Sequence, residues 1–211
     1  MRTRYIGARG GTEEEGASRP SQAKLAFIDV ETTGLNPQLH TVWSFAGIVE
    51  VDGALETITF RCRPTPGAVI DDKALSIGGI SLEELNNLED PREAKIHLEA
   101  ALGRHADKFN RIDKFHFIGY NAKFDADFLR NWYLQMGDSY YGSWFWNPPI
   151  DVMNLASYVL MEERHRMKDF KLATVARQFS IDVDESKTHD PLYDIQLTMQ
   201  LYKRLETITR D

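Results

Sequence analysis

The chain has 211 residues, 42% hydrophobic and 11% aromatic, which suits one globular domain with a sizeable buried core. A net charge of −7 excludes binding of nucleic acid through a generally basic surface, yet fits a protein whose own carboxylates gather cations. Cys62 is the single cysteine, no apolar run approaches the ~20 residues of a membrane span, and the arginines near the N-terminus precede no apolar leader segment, so a reducing, cytoplasmic location without membrane attachment is expected.

Residues 1–22 contain Gly, Ser, Arg and the run Glu13-Glu14-Glu15 without apolar periodicity, and read as a flexible tail ahead of one domain over residues 23–211. Leu25 to Val30 is a short apolar run that suits a buried strand, ended by Gly34, Asn36 and Pro37. Val42 to Val51 and Ala54 to Arg63 are β-rich, and Asp52-Gly53 between them marks a hairpin. Ser81 and Glu84 form a capping box opening a short helix. Pro91 to about Phe109 reads as a longer helix, Phe115 to Gly119 as an apolar strand, and Phe124 to Met136 as a further helix. Tyr140, Tyr141, Trp144, Phe145 and Trp146 crowd the stretch 139–149, whose partner is open: substrate, another protein or a second copy of the chain. Helices are expected over 151–163, 171–179 and 191–205, the last with Asp190 as N-cap and Pro191 at its first position. Strands alternating with helices after a hairpin predict a mixed α/β sheet covered by helices.

Three acidic signals stand out. Asp29-Val30-Glu31 lies at the end of the first strand, where positions i and i+2 share a face and project two carboxylates together. By itself such a pair is more often a solvated strand end; buried, it is costly unless paired or metal-bound. The second signal runs from Gly119 to Asp125, with Asp125 entering a helix start, where the helix dipole also suits an acid. The third, His189 to Asp194, places Asp194 about one turn into the last helix and His189 just before it. Alone, a histidine five residues from an aspartate means little.

Together, and in this order, the three resemble the DEDDh exonuclease family, and in particular the proofreading subunit of bacterial replicative DNA polymerase and its stand-alone relatives. The resemblance widens through Asp29-Val30-Glu31-Thr32-Thr33-Gly34-Leu35 and through the segment 74–85, and spans about residues 25–205. The chain departs from the family at Tyr120, where histidine is frequent, and at Pro191, where alanine is frequent; neither is a ligand position, and the aromatic stretch matches no family element.

The resemblance implies a mixed five-stranded sheet flanked by helices, the ribonuclease H-like exonuclease fold. It implies two Mg²⁺ or Mn²⁺ ions held by Asp29, Glu31, Asp125 and Asp194, with Asp29 bridging, since these hard ions prefer oxygen ligands. His189, whose ordinary pKa near 6.5 lies close to working pH, would take the proton of the attacking water. Thr32 is a candidate for the terminal sugar, Leu35 either wedges between the last two bases or packs in its loop, and Asn121 either binds a phosphate or caps the helix. Phe124 and Phe128 either stack on bases or, as is commoner at helical spacing, belong to the core, as Trp43 does. The basic cluster Arg164, His165, Arg166, Lys168 and Lys171 either guides a phosphate backbone or, more commonly for such a run, is a solvated loop. The implied partner is the 3′ end of a single-stranded nucleic acid, DNA favoured by the Glu31-Thr32-Thr33-Gly34 form; an RNA exonuclease of the oligoribonuclease or ribonuclease T type is the alternative, and a non-catalytic nucleic-acid-binding module a third. Nothing in the sequence indicates a polymerase partner or a homo-oligomer.

Overall fold

Alternation along the first strand decides how the molecule is layered. In the computed structural model, which describes residues 23–187 and 190–210, β1 (Leu25–Thr32) is the middle strand of a five-stranded sheet. The tail expected over residues 1–22 lies outside the described residues. β1 is flanked by β2 (Val42–Val51) and then β3 (Ala54–Arg61) on one side, and by β4 (His116–Gly119) and then β5 (Ile150–Asp151) on the other. The β1–β2 and β2–β3 pairs are antiparallel and the β1–β4 and β4–β5 pairs parallel, so the sheet is mixed, as expected.

Ala26, Ile28 and Val30 point to one face, joining Leu98 of α3 (Pro91–Leu102) and Phe128, Leu129 and Trp132 of α4 (Ala122–Gln135). Phe27 points to the other. There it meets Val152 of α5 (Val152–Val159), Val175 of α6 (Leu172–Gln178) and Leu201 of α7 (Pro191–Arg210), with the Tyr202 ring edge-on at 5.5 Å. Each buried Val, Leu, Ile or Phe among these contributes about 1.5–3 kcal/mol over leaving it in water. Two short helices, α1 (Asp72–Gly78) and α2 (Leu82–Asn86), bury Trp43 with Leu75, Ile80 and Leu85 in a satellite core.

The local signals behave as their chemistry requires. Asp52 (φ 51°) and Gly53 (φ 80°) form the hairpin turn with positive φ at both residues, the geometry that matches the twist of the flanking strands. Ser81 and Glu84 bond reciprocally in a capping box. Asp190 accepts the Tyr193 N–H at 2.9 Å, capping α7 as expected. Among the described residues no helix is long and apolar enough to cross a membrane.

Some boundaries differ. The helix from Pro91 stops at Leu102, not near 109, because Gly103 closes it and the chain turns back, tied down by Lys24, which donates to the His105 carbonyl and pairs with Asp113. The helix expected over 151–163 ends at Val159, and Asp151, read as its first residue, is the last residue of β5 and its N-cap. α1 was not anticipated. The aromatic stretch turns inward: Tyr141, Trp144 and Phe145 are core residues, and along it the Phe115 N–H donates to the Trp144 carbonyl while the Phe115 carbonyl accepts the Trp146 N–H. Its outward members are Tyr140, 68% exposed, and Trp146. Phe128 is 1% exposed and Trp43 3%, so both are core and Phe128 has no face for a base.

Candidate active site

The parallel half of the sheet ends its strands together. β1 delivers Asp29 and Glu31 to the face covered by α7, β4 ends at Gly119, and β5 ends at Asp151. The crevice beyond the carboxyl ends of parallel strands is where α/β sheets ordinarily bind ligands. The β1–β2 register slips between Glu31 and Thr32, leaving Trp43 unmatched on β2; bulges of this kind re-aim the chain beside functional sites.

Asp125 comes from the first turn of α4 and is 4% exposed. It accepts the backbone N–H of Val30 at 3.1 Å, which binds α4 to the strand residue between Asp29 and Glu31. Asp194 comes from the first turn of α7. The four carboxylates feel one another. Burial, then the charges of Asp125, Glu31 and Asp194, holds the Asp29 carboxyl well above the usual carboxylate range. Burial and Asp194 push Glu31 up to about 7. Burial raises Asp125 despite the opposing Val30 N–H, and the charges of Glu31 and Asp151 raise it further. Such mutual repulsion in low dielectric is what a bound cation relieves.

The donor set is all oxygen and anionic, which fits a hard divalent ion. Among the described residues no three such side chains already form a closed metal-binding cluster, so the carboxylates share a field and not a finished coordination shell. His189, the expected general base, lies outside the described residues, as does Thr188.

The expected substrate contacts take distinct places. The Thr32 hydroxyl is buried and donates to the Gly34 carbonyl at 2.7 Å, closing the turn after β1. Leu35 is 81% exposed at the tip of that turn, so it is not a packed loop residue. Asn121 stands at the start of α4 with φ 66° and its side chain makes no capping bond. Phe124 is half-buried, its ring 4.7 Å from that of Phe128 at the edge of the core.

Asp151 was not among the expected site residues. Its Oδ1 accepts both the Asn121 N–H and the Met153 N–H at 3.0 Å, joining the corner before α4 to the start of α5. The available signal was an aspartate at a helix start; its second acceptor role joins residues thirty apart and leaves no sequence mark.

Comparisons with known proteins bear on the family and the fold. The DNA polymerase III PolC-type of Thermotoga maritima is 27% identical over 182 residues, covering 86% of this chain; the chain spans 12% of that polymerase's length. Ribonuclease T of Shewanella denitrificans is 25% identical, with 83% of this chain and 76% of that protein covered. E. coli Exonuclease I in complex with a dT13 oligonucleotide superimposes with a TM-score of 0.68 at 21% identity, covering 88% of this chain and 41% of that one; the fold is therefore the ribonuclease H-like exonuclease fold. The model of the family described as Exonuclease matches residues 26–202, from the start of β1 well into α7, and the chain belongs to that family.

Proposed function

We propose that this chain is a 3′→5′ exonuclease that releases nucleoside monophosphates from the end of single-stranded DNA. The observation that carries the reading is the placement of Asp29 and Glu31 at the carboxyl end of β1, with Asp125 bonded to the Val30 N–H and Asp194 in the first turn of α7, where their charges oppose one another. Mg²⁺ or Mn²⁺, two ions held by these four side chains, would supply an activated water and stabilise the leaving oxygen. Asp125, locked onto the Val30 N–H, keeps its carboxylate beside Asp29 while the strand end is handled. His189, on the approach to α7, takes the proton of the attacking water. Leu35, exposed at its turn, wedges between the last two bases. Thr32 shapes the pocket for the terminal sugar, Asn121 offers its uncommitted amide to a phosphate, and Phe124 lines the rim.

DNA is favoured because E. coli Exonuclease I, of like fold, is seen with single-stranded DNA oligonucleotides. The likeness to Ribonuclease T supports RNA as the second reading. Matched 5′-labelled DNA and RNA 20-mers with Mn²⁺ test both. The expected result is a descending ladder, faster on DNA; a faster RNA ladder selects the second reading, and equal cutting of a circular single strand ends the exonuclease proposal.

A further inference from the structure

We propose that residues 164–171 form a surface that grips the phosphate backbone of the strand whose 3′ end occupies the carboxylate site. The proposal rests on the exonuclease reading and adds to it a place for the rest of the strand. In a chain of net charge −7, this stretch holds Arg164, His165, Arg166, Lys168 and Lys171 against one acid, Asp169.

Its position in the fold separates it from an ordinary solvated loop. The Tyr120 hydroxyl donates to the Phe170 carbonyl at 2.6 Å, pinning the stretch to the end of β4, next to Asn121 and one short turn from Asp125. The Arg164 guanidinium lies 4.9 Å from the centre of the Phe170 ring, so a cation is stacked over the residue that is pinned. Tyr120 feels the charges of Asp151, Asp169 and Arg164 at once, which places the basic stretch and the acidic corner in one neighbourhood.

Of the neighbouring acids, Glu162 is exposed, while Asp169 and Glu163 are occupied. Asp169 is turned onto its own chain, accepting the Lys171 N–H at 3.2 Å and bonding the Thr174 side chain. Glu163 pairs with Arg166 at 3.0 Å. Arg164, Lys168 and Lys171 are exposed and enter no ion pair among the described residues. Three cations held beside a carboxylate site that would itself repel phosphates offset that repulsion locally, and a strand of several nucleotides reaches both. A one-nucleotide end reaches only the carboxylates.

The test is binding of labelled dT oligonucleotides by fluorescence anisotropy, with a chelator present so that nothing is hydrolysed. The wild type is expected to bind a 12-mer more tightly than a trinucleotide. The variant Arg164→Gln/Lys168→Gln/Lys171→Gln is expected to weaken 12-mer binding about tenfold or more and to lower the slope of log Kd against log salt by about 2, at about 0.7 per phosphate contact on a single strand. Arg92→Gln/Arg111→Gln/Arg204→Gln removes the same charge elsewhere and is expected to change the slope little. Equal effects of the two triples, or an unchanged slope in the first, overturns the proposal. Should the first triple fold poorly, Lys168→Gln/Lys171→Gln touches only exposed side chains and is held to a slope change of about 1.4. The readout needs no turnover, so a wild type that releases no nucleotide with Mn²⁺ ends the exonuclease reading while the anisotropy series still decides this surface.

Discussion

The N–H of Val30 donates to the carboxylate of Asp125 across 95 positions of sequence, at 3.1 Å. Val30 sits between Asp29 and Glu31, so the bond fixes a helix-borne acid against the two strand-borne ones. A buried acceptor of this kind is costly to lose, by about 1–3 kcal/mol, because the strand N–H is then left unpaired. Asp125→Ala is therefore expected to destabilise the metal-free protein, whereas Asp125→Asn, which keeps an oxygen acceptor, retains most of its stability. Denaturant melts of both variants check this; equal losses would remove the Val30 bond from the account.

Asp29 makes the opposite forecast. It is surrounded by three other acids that oppose its charge. Asp29→Asn is expected to raise the melting temperature of the metal-free protein and to abolish most of its response to Mn²⁺. In the wild type, metal stabilisation follows mass action, about 2.7 kcal/mol at 100 times the dissociation constant, and a chelator reverses it. A wild type indifferent to Mn²⁺ across the millimolar range would sink the shared metal site.

Burial of Glu31, with the charge of Asp194 beside it, sets a pH dependence. Glu31 titrates at about 7 in the folded chain against an ordinary 4.5, so the folded state binds the proton more tightly. Its contribution to stability without metal is complete below the ordinary value and is lost as pH rises through about 7. Glu31→Gln removes that titration, and the gap between variant and wild-type melting temperatures should widen in the variant's favour from pH 5 to 8. Binding of Mn²⁺ displaces the proton, so the metal-induced rise in melting temperature grows over the same interval. A gap that is flat with pH counts against the carboxylate cluster.

His189→Ala tests the proposed base. Turnover is expected to fall by about 10²–10⁴-fold while the Mn²⁺-induced shift in melting temperature stays close to wild type, since a general base moves a proton and does not hold the ion. Activity near wild type removes His189 from the mechanism.

Gly34 gives a prediction about the loop that carries Leu35. A Cβ built there would run into Cδ2 of His40, whose ring is held by the Asn36 N–H at 3.1 Å. Gly34→Ala is expected to cost about 1–3 kcal/mol through overpacking. Adding His40→Ala should restore part of that loss, since the two share one clash. Strict additivity in the double-mutant cycle refutes the contact.

The acids and the strands that carry them were legible because each obeys a short rule. Alternation puts Asp29 and Glu31 on one face, Asp52-Gly53 supplies the positive-φ turn, and Asp190 caps the helix that presents Asp194. What was not legible depends on distant partners. Tyr141, Trp144 and Phe145 have the i, i+3, i+4 spacing of a helical face, but five aromatic rings crowd this short stretch, and which of them turn inward is decided by a core assembled from other segments. The two-residue β5 is too short to show alternation, and Asp151 looked like a simple helix start because its bond to Asn121 closes only when β4 and β5 lie side by side.

The turn after β1 is stitched to a segment far along the chain: Thr33 donates through its hydroxyl to Val69 and accepts the Asp71 N–H, and the Val69 N–H in turn reaches the Leu39 carbonyl. Amide protons at Thr33, Val69 and Asp71 should therefore exchange with solvent deuterium as slowly as those of the strands, although all three sit in irregular backbone. Lengthening the connection between β3 and α1, a surface segment that would ordinarily tolerate extra residues, would be registered at Leu35 and at the end of β1.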